Sequence, residues 1–237
     1  MKIVKISAEN PDPKIIKEAA RIIKNGGLVI FPTETVYGLG ADAFNARAVA
    51  KIFKAKGRPE GKPLIVHVAK KSSMDMLARF VPTVARKLVL QFWPGPLTLV
   101  LEAAAGLPKF VTGTKRISAQ SAIVLSMALS AQTGKRVRTV AVRMPDHPVA
   151  RALILAAGPI AAPSANFSGE PPPRSIKEIP RALLERVDLV LDAGRTPVGV
   201  PSTVLDLTQK VPIILREGAI SSKILTRSIP GRRAGKI

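Results

Sequence analysis

The segment from Lys56 to Pro63 reads Lys-Gly-Arg-Pro-Glu-Gly-Lys-Pro and sets three cations, Lys56, Arg58 and Lys62, within seven residues. Pro59 and Pro63 hold such a loop to few conformations, and several cations on one stiff loop suit a polyphosphate. Charge-assisted bonds from arginine to phosphate contribute roughly 1.5 to 3 kcal/mol each, so a few converging ones give nucleotide affinity without a glycine cradle. The same residues also fit a solvated basic face. The segment mimics a P-loop, but it is one residue short between Gly57 and Gly61 and has Pro63 where Ser or Thr should bind a metal.

Two further segments follow strand ends, where open α/β sheets place ligands. Pro32-Thr33-Glu34-Thr35-Val36-Tyr37-Gly38-Leu39-Gly40 offers hydroxyls that could bind a small polar substrate or merely satisfy a turn. The run Gly38-Leu39-Gly40-Ala41-Asp42-Ala43 has dinucleotide-fingerprint spacing, yet its glycines lie beyond the strand end instead of at it. Pro163-Ser164-Ala165-Asn166 has small side chains that let a ligand approach the backbone, and reads equally as an Asx turn. His67, in Leu64-Ile65-Val66-His67-Val68, is a strand histidine or a site residue.

Ordinary catalytic machinery is missing from the sequence. There is no cysteine, which excludes disulfides, thiolate metal sites and a thiol nucleophile, and only two histidines are present. His147 adjoins Asp146, so the two cannot form a linear triad with a distant serine, and no spacing marks a carboxylate dyad or a metal site. Any chemistry here is electrostatic. Lys and Arg number 37 against 16 Asp and Glu, a net charge of +21, so the partners are expected to be anions. With one Trp, one Tyr and seven Phe, base stacking is a poor basis for RNA binding; phosphate contact is the alternative. Charge concentrates in Arg47–Lys71, Ala103–Pro145 and Thr208–Ile237, the last including Arg232-Arg233 in an expected tail.

The elements that must position these residues alternate. Asp12 before Pro13 starts a helix with Ile15, Ile16, Ala19, Ala20 and Ile23 at helical spacing, and Gly26-Gly27 ends it. A strand at Leu28–Phe31, a loop Pro32–Asp42, a helix from Asn45 to about Lys54, a strand at Leu64–Val68 and a helix at Pro82–Phe92 follow. Further strands are predicted near Leu97–Leu101, Thr139–Arg143, Pro159–Ala162, Asp188–Leu191, Ser202–Leu207 and Ile213–Leu215, with helices at His147–Ala157 and Ser175–Arg186. Helix and strand alternating early, with strands crowding late, predict one α/β domain on an open mixed sheet. Met1–Ser7 lacks the apolar core of a secretory signal, and the uncharged run Ile117–Gly134 is too polar to span a bilayer, so a cytoplasmic protein is expected.

Taken in order, Pro32–Gly40, Lys54–Val68, Phe92–Leu99, Thr139–Pro148, Ala162–Gly169, Ser202–Asp206 and Leu215–Gly218 resemble the YrdC-type threonylcarbamoyl-AMP synthase family. The resemblance spans about Ile15 to Ile220. It implies a single-domain α/β fold over 1–220, an open twisted sheet, mixed parallel and antiparallel, with flanking helices around a basic cavity. It also implies an enzyme, a nucleotidyltransferase that condenses L-threonine, bicarbonate and ATP into threonylcarbamoyl-adenylate and pyrophosphate. Other proteins then use the product to modify the adenosine beside the tRNA anticodon.

On that resemblance Thr35, His67, Arg143, Ala162 and Ser202 form the threonine subsite, with Ala162 lending backbone. Lys56, Arg58, Lys62, Thr139, Ser164, Asn166 and Arg216 form the ATP subsite, and Lys56 and Arg58 carry the catalytic charge. Magnesium is expected on the ATP phosphates, with no metal site of the protein's own. Two departures stand out: an insertion at about 114–138, and a basic tail or linker at 221–237 where some members continue into a second domain. Partners expected are the small substrates, the downstream tRNA-modifying machinery and, weakly, tRNA or double-stranded RNA. A non-catalytic basic RNA-binding module with the same fold is the rival reading. The expected residue types at Thr35, Arg58, Lys62, His67, Arg143, Ser164, Ser202 and Arg216 argue against it.

Overall fold

A computed structural model describes residues 2–59, 61–116 and 136–229. In chain order the elements are β1 (Lys2–Lys5), α1 (Pro13–Lys24), β2 (Val29–Phe31), β3 (Gly38–Asp42), α2 (Ala46–Lys56), β4 (Ile65–His67), α3 (Met74–Leu77), α4 (Thr83–Phe92), β5 (Leu97–Glu102), β6 (Thr112–Arg116), β7 (Arg136–Arg143), α5 (Pro148–Ala157), β8 (Ile160–Ala161), α6 (Arg181–Leu184), β9 (Leu189–Asp192), β10 (Thr203–Asp206), β11 (Ile213–Arg216) and α7 (Ser222–Ser228). The strands join in one mixed sheet in the order β1-β9-β2-β3-β8-β4-β7-β5-β10-β11, and β6 pairs with the first half of β7. Among the described residues no helix is long and apolar enough to cross a membrane.

Strand alternation divides the sheet into two unlike faces. Leu39, Ala41, Val66, Val140, Val142, Leu97, Leu99 and Leu205 point to one face, where one large core also takes in residues of α2, α3 and α4. Val29, Phe31, Ile160, Leu189 and Leu191 belong to a second core, closed by Ile16, Ala19, Ala20 and Ile23 of α1 and Val149, Ala150, Leu153 and Ile154 of α5. That second cover stops short. Beyond it, register puts His67, Arg143 and Thr98 side by side on the face with Val29 and Phe31, next to the half-buried Ile65, Ala141 and Val204. That part of the face carries a buried cation, Arg143, which is 4% exposed.

The helix ends follow from their sequences. Asp12 accepts the Lys14 amide at 2.7 Å with Pro13 in the first turn of α1. Asn45 caps α2, and Gly57 ends it at φ +59°, so the Lys56–Lys62 loop leaves the helix at a left-handed residue.

Four expectations are corrected. Strand β3 lies inside the predicted loop Pro32–Asp42, because its small residues allow close packing: a Cβ on Gly40 would meet Phe31 at 2.7 Å and Ile160 at 2.8 Å. The predicted helix Ser175–Arg186 is a 3-10 turn at Ile176–Glu178 and the short α6, since Pro180 forces Ile179 into an extended conformation. The segment expected as tail or linker begins with α7, whose Leu225 is fully buried in the main core. The ends of the expected insertion are strand: Thr114 to Arg116 pair with Arg138 to Arg136 across β6 and β7. Its middle, 117–135, lies outside the described residues, as do Glu60 and Arg232-Arg233.

Leu225→Ala tests the docking of α7: removing a fully buried leucine should cost about 2–5 kcal/mol, read as a lower urea midpoint at unchanged slope. An unshifted midpoint would mean that α7 does not pack on the core.

Candidate functional site

Arg143 sits at the end of β7, and period-two alternation turns it away from the apolar Val140 and Val142. The guanidinium is only 4% exposed. Its Nη2 donates to Thr35 Oγ1 at 2.9 Å, its Nε donates to Gly95 O at 3.3 Å, and Glu34 Oε1 lies 2.7 Å from Nη2. Thr33 gives its hydroxyl proton to Val36 O, so the 2.8 Å bond between the two threonine hydroxyls uses the proton of Thr35. This orients the Thr35 lone pair toward Arg143. A second loop clamps the turn from behind: Val198 N donates to Glu34 O, and Gly199 N and Thr196 Oγ1 both donate to Thr35 O, each at 2.9 Å. Gly199 is at φ +69°, and a Cβ there would strike the Arg174 guanidinium.

His67 is the parallel-strand partner of Arg143 and is 3% exposed, and neither ring nitrogen hydrogen-bonds to another protein group. Burial holds its pKa well below the ordinary value, and the Arg143 charge pushes the same way, so the imidazole is neutral. Thr98, the antiparallel partner of Arg143, exchanges a 2.8 Å hydrogen bond with Ser202 Oγ. Arg216 reaches back from β11 to donate to Ser202 O at 2.8 and 3.1 Å and to Ser202 Oγ at 3.1 Å. Burial lowers the Arg216 pKa, with Arg143 adding to it, and the group stays charged as arginines do. Thus Ser202, expected in the threonine subsite, is bonded to Arg216 of the expected ATP subsite.

The other expected nucleotide residues come from the end of α2 and the loop after it, from β7 and from the loop after β8. Lys56, 2% exposed, donates its Nζ to the carbonyls of Ser164 and Asn166. Burial pushes its pKa down to about 8, with Arg58 adding to the effect and Glu170 opposing it. Lys56 is therefore bonded to the Ser164–Asn166 backbone, and Asn166 Nδ2 donates to the carbonyls of Phe167 and Glu170. Arg58 donates to Lys62 O and Pro63 O, folding its loop over itself, while Lys62 is exposed. Pro63 and Thr139 both press on Gly113, so β6 brings Thr139 to the foot of the loop. Ser164 bridges to Gly38, and Ala162 donates its amide to Ile65 O. His147 has a structural use: its Nδ1 accepts the Val149 amide at the start of α5.

Sequence reasoning missed Glu34 and Thr98. Thr98 carries a readable signal, as the polar residue on an otherwise apolar strand, Leu97 to Leu101. Glu34 carries none, since an acid in a turn reads as solvated.

The Sua5/YciO/YrdC family model, described as telomere recombination, matches residues 21–218, and the chain belongs to this family. It is 44% identical over 206 residues to the threonylcarbamoyl-AMP synthase of Pyrococcus abyssi, covering 86% of this chain and 54% of that one. To the Bacillus subtilis threonylcarbamoyl-AMP synthase it is 43% identical over 213 residues, covering 90% and 55%. The chain spans about half the length of these curated relatives. The crystal structure of Pyrococcus abyssi Sua5 complexed with L-threonine superposes with a TM-score of 0.82 at 40% identity, over 98% of this chain and 62% of that one.

The neutral His67 has a measurable consequence. Its folded pKa lies below the unfolded value of 6.5, so as pH falls through 6.5 the unfolded chain gains a proton that the folded site refuses, and stability drops. Between pH 7.5 and 5.5 the wild type should lose about 1 kcal/mol more than His67→Gln in urea titrations. Equal losses would mean that His67 protonates in place.

Proposed function

We propose that the chain is a threonylcarbamoyl-AMP synthase. The observation that carries this reading is Arg143, a buried guanidinium held beside Thr35 and His67, on a strand whose parallel neighbour β4 follows the cationic Lys56–Lys62 loop. A buried cation of that kind suits the carboxylate of an amino acid, and the neighbouring cations suit a triphosphate. The likeness to relatives named for this activity, and to a relative solved with L-threonine, supports the same assignment.

The chemistry needs little more than these charges. Threonine binds with its carboxylate on Arg143 and its other polar groups among Thr35, His67, Ser202 and the Ala162 backbone. Its nitrogen, once unprotonated, attacks bicarbonate and water leaves, giving the carbamate. A carbamate oxygen then attacks the α-phosphorus of ATP and pyrophosphate departs. Arg58, Lys62 and Arg216 take the charge that grows on the leaving pyrophosphate. Lys56 shapes the Ser164–Asn166 backbone against which the nucleotide rests, and Thr139 closes the foot of the phosphate loop. Magnesium would arrive bound to the ATP phosphates and would neutralise part of their charge. Alignment of the two reactants in one site supplies the rest of the acceleration.

The setting is the cytoplasm, where the adenylate passes to the proteins that modify tRNA. We also propose that the chain touches tRNA through its phosphates, using Lys115, Arg116, Lys135, Arg136 and the Arg232-Arg233 pair, because the net charge of +21 exceeds what one ATP site needs.

Pyrophosphate release from ATP should require both threonine and bicarbonate, and equal release without threonine would contradict the assignment. Arg58→Ala and Lys62→Ala should each slow turnover on the order of a hundredfold; near-normal rates in both would remove the loop from the mechanism. Affinity for tRNA should fall with added salt with a log–log slope of several units, while turnover changes far less. Salt-independent binding would argue against phosphate contact.

A further inference from the structure

Among the described residues only two acidic side chains are buried, Asp206 and Glu34. Asp206 has a structural use, accepting the amide and hydroxyl of Thr208 at 2.8 and 2.6 Å. Glu34 does not. It is 6% exposed, and although Oε1 is 2.7 Å from Arg143 Nη2, neither carboxylate oxygen accepts a directed hydrogen bond from any protein group. The directed bonds of Arg143 go to Thr35 and Gly95 instead.

A buried ion pair built for the fold is usually bidentate and has its remaining lone pairs satisfied, because desolvating both charges is costly otherwise. This pair is neither. A carboxylate here also repels the triphosphate the neighbouring cations would attract, unless it meets a cation of its own. A group with several N–H donors, positioned beside whatever anion Arg143 binds, would complete it. An α-amino acid has that layout: an ammonium and a carboxylate on one carbon, opposite in sign to Glu34 and Arg143 in turn.

We propose that Glu34 receives the α-ammonium group of threonine, so that the Glu34–Arg143 pair reads the zwitterion and the hydroxyls around it read the side chain. This rests on the reading of the site as a threonine site. Glu34 is then a specificity-determining residue that selects amino acids over hydroxy acids, ahead of any reaction at the nitrogen.

The test is calorimetric titration of the whole chain with L-threonine and with 3-hydroxybutyrate, which keeps the carboxylate and the hydroxyl but lacks the amino group. The wild type should prefer threonine by about ten- to a hundredfold, the worth of one charge-assisted bond. Glu34→Gln should lose most of that preference through weaker threonine binding, while 3-hydroxybutyrate binds as before or better, having no carboxylate to compete with at Arg143. If Glu34→Gln weakens both ligands equally, Glu34 merely holds Arg143 in place and the proposal falls. A wild type that binds threonine but shows no preference overturns it without any variant. A wild type that binds neither ligand overturns the threonine reading itself, and this proposal with it.

Discussion

A guanidinium kept out of water in the face of a β-sheet must be given partners, and Arg143 is where this fold meets that demand. Desolvating the charge is costly, and the protein offsets only part of the cost, with one threonine hydroxyl, one backbone carbonyl and an ion pair lacking directed hydrogen bonds. The surroundings follow from that arrangement. The Thr33–Val36 turn orients Thr35, the loop at Thr196–Gly199 locks the turn, and β4 and β5 flank the arginine with His67 and Thr98. Incomplete satisfaction suits a group whose remaining partner is a substrate carboxylate.

Coupling between the two halves of the site has a physical route. Ser202 shares one hydrogen bond with Thr98, beside Arg143, and others with Arg216, which faces the phosphates in the proposed reaction. A shift of Arg216 toward pyrophosphate would release Ser202 on the threonine side. Lys56 would play the corresponding part for the nucleotide in the proposed reaction, since its bonds to the Ser164 and Asn166 carbonyls tie the end of α2 to the loop after β8. Its lowered pKa comes mainly from burial, and the carbonyls it meets favour the charged form.

Much of this was legible in the sequence, for identifiable reasons. Along the strand Thr139 to Arg143 the period of two turns Thr139 and Arg143 to one face, with the small Ala141 between them, and Val140 and Val142 to the other. Asp12-Pro13 and Asn45 announced helix starts that the structure keeps. What escaped depended on contacts between distant segments. Strand β3 exists because glycines let Phe31 and Ile160 close on it, β6 because β7 pairs with it, and the helix expected at Ser175–Arg186 gave way to Pro180. Glu34 escaped for a related reason: burial, not residue type, distinguishes it from a solvated turn acid.

In the proposed reaction the charges of this site join threonine to AMP through a carbon taken from bicarbonate. The most direct measurement is carbon-13 NMR of a reaction containing ATP, L-threonine and labelled bicarbonate. A labelled carbamoyl carbon bonded to the threonine nitrogen and coupled through oxygen to the phosphorus of AMP is the expected result. An unlabelled adenylate formed on threonine's own carboxylate would contradict it.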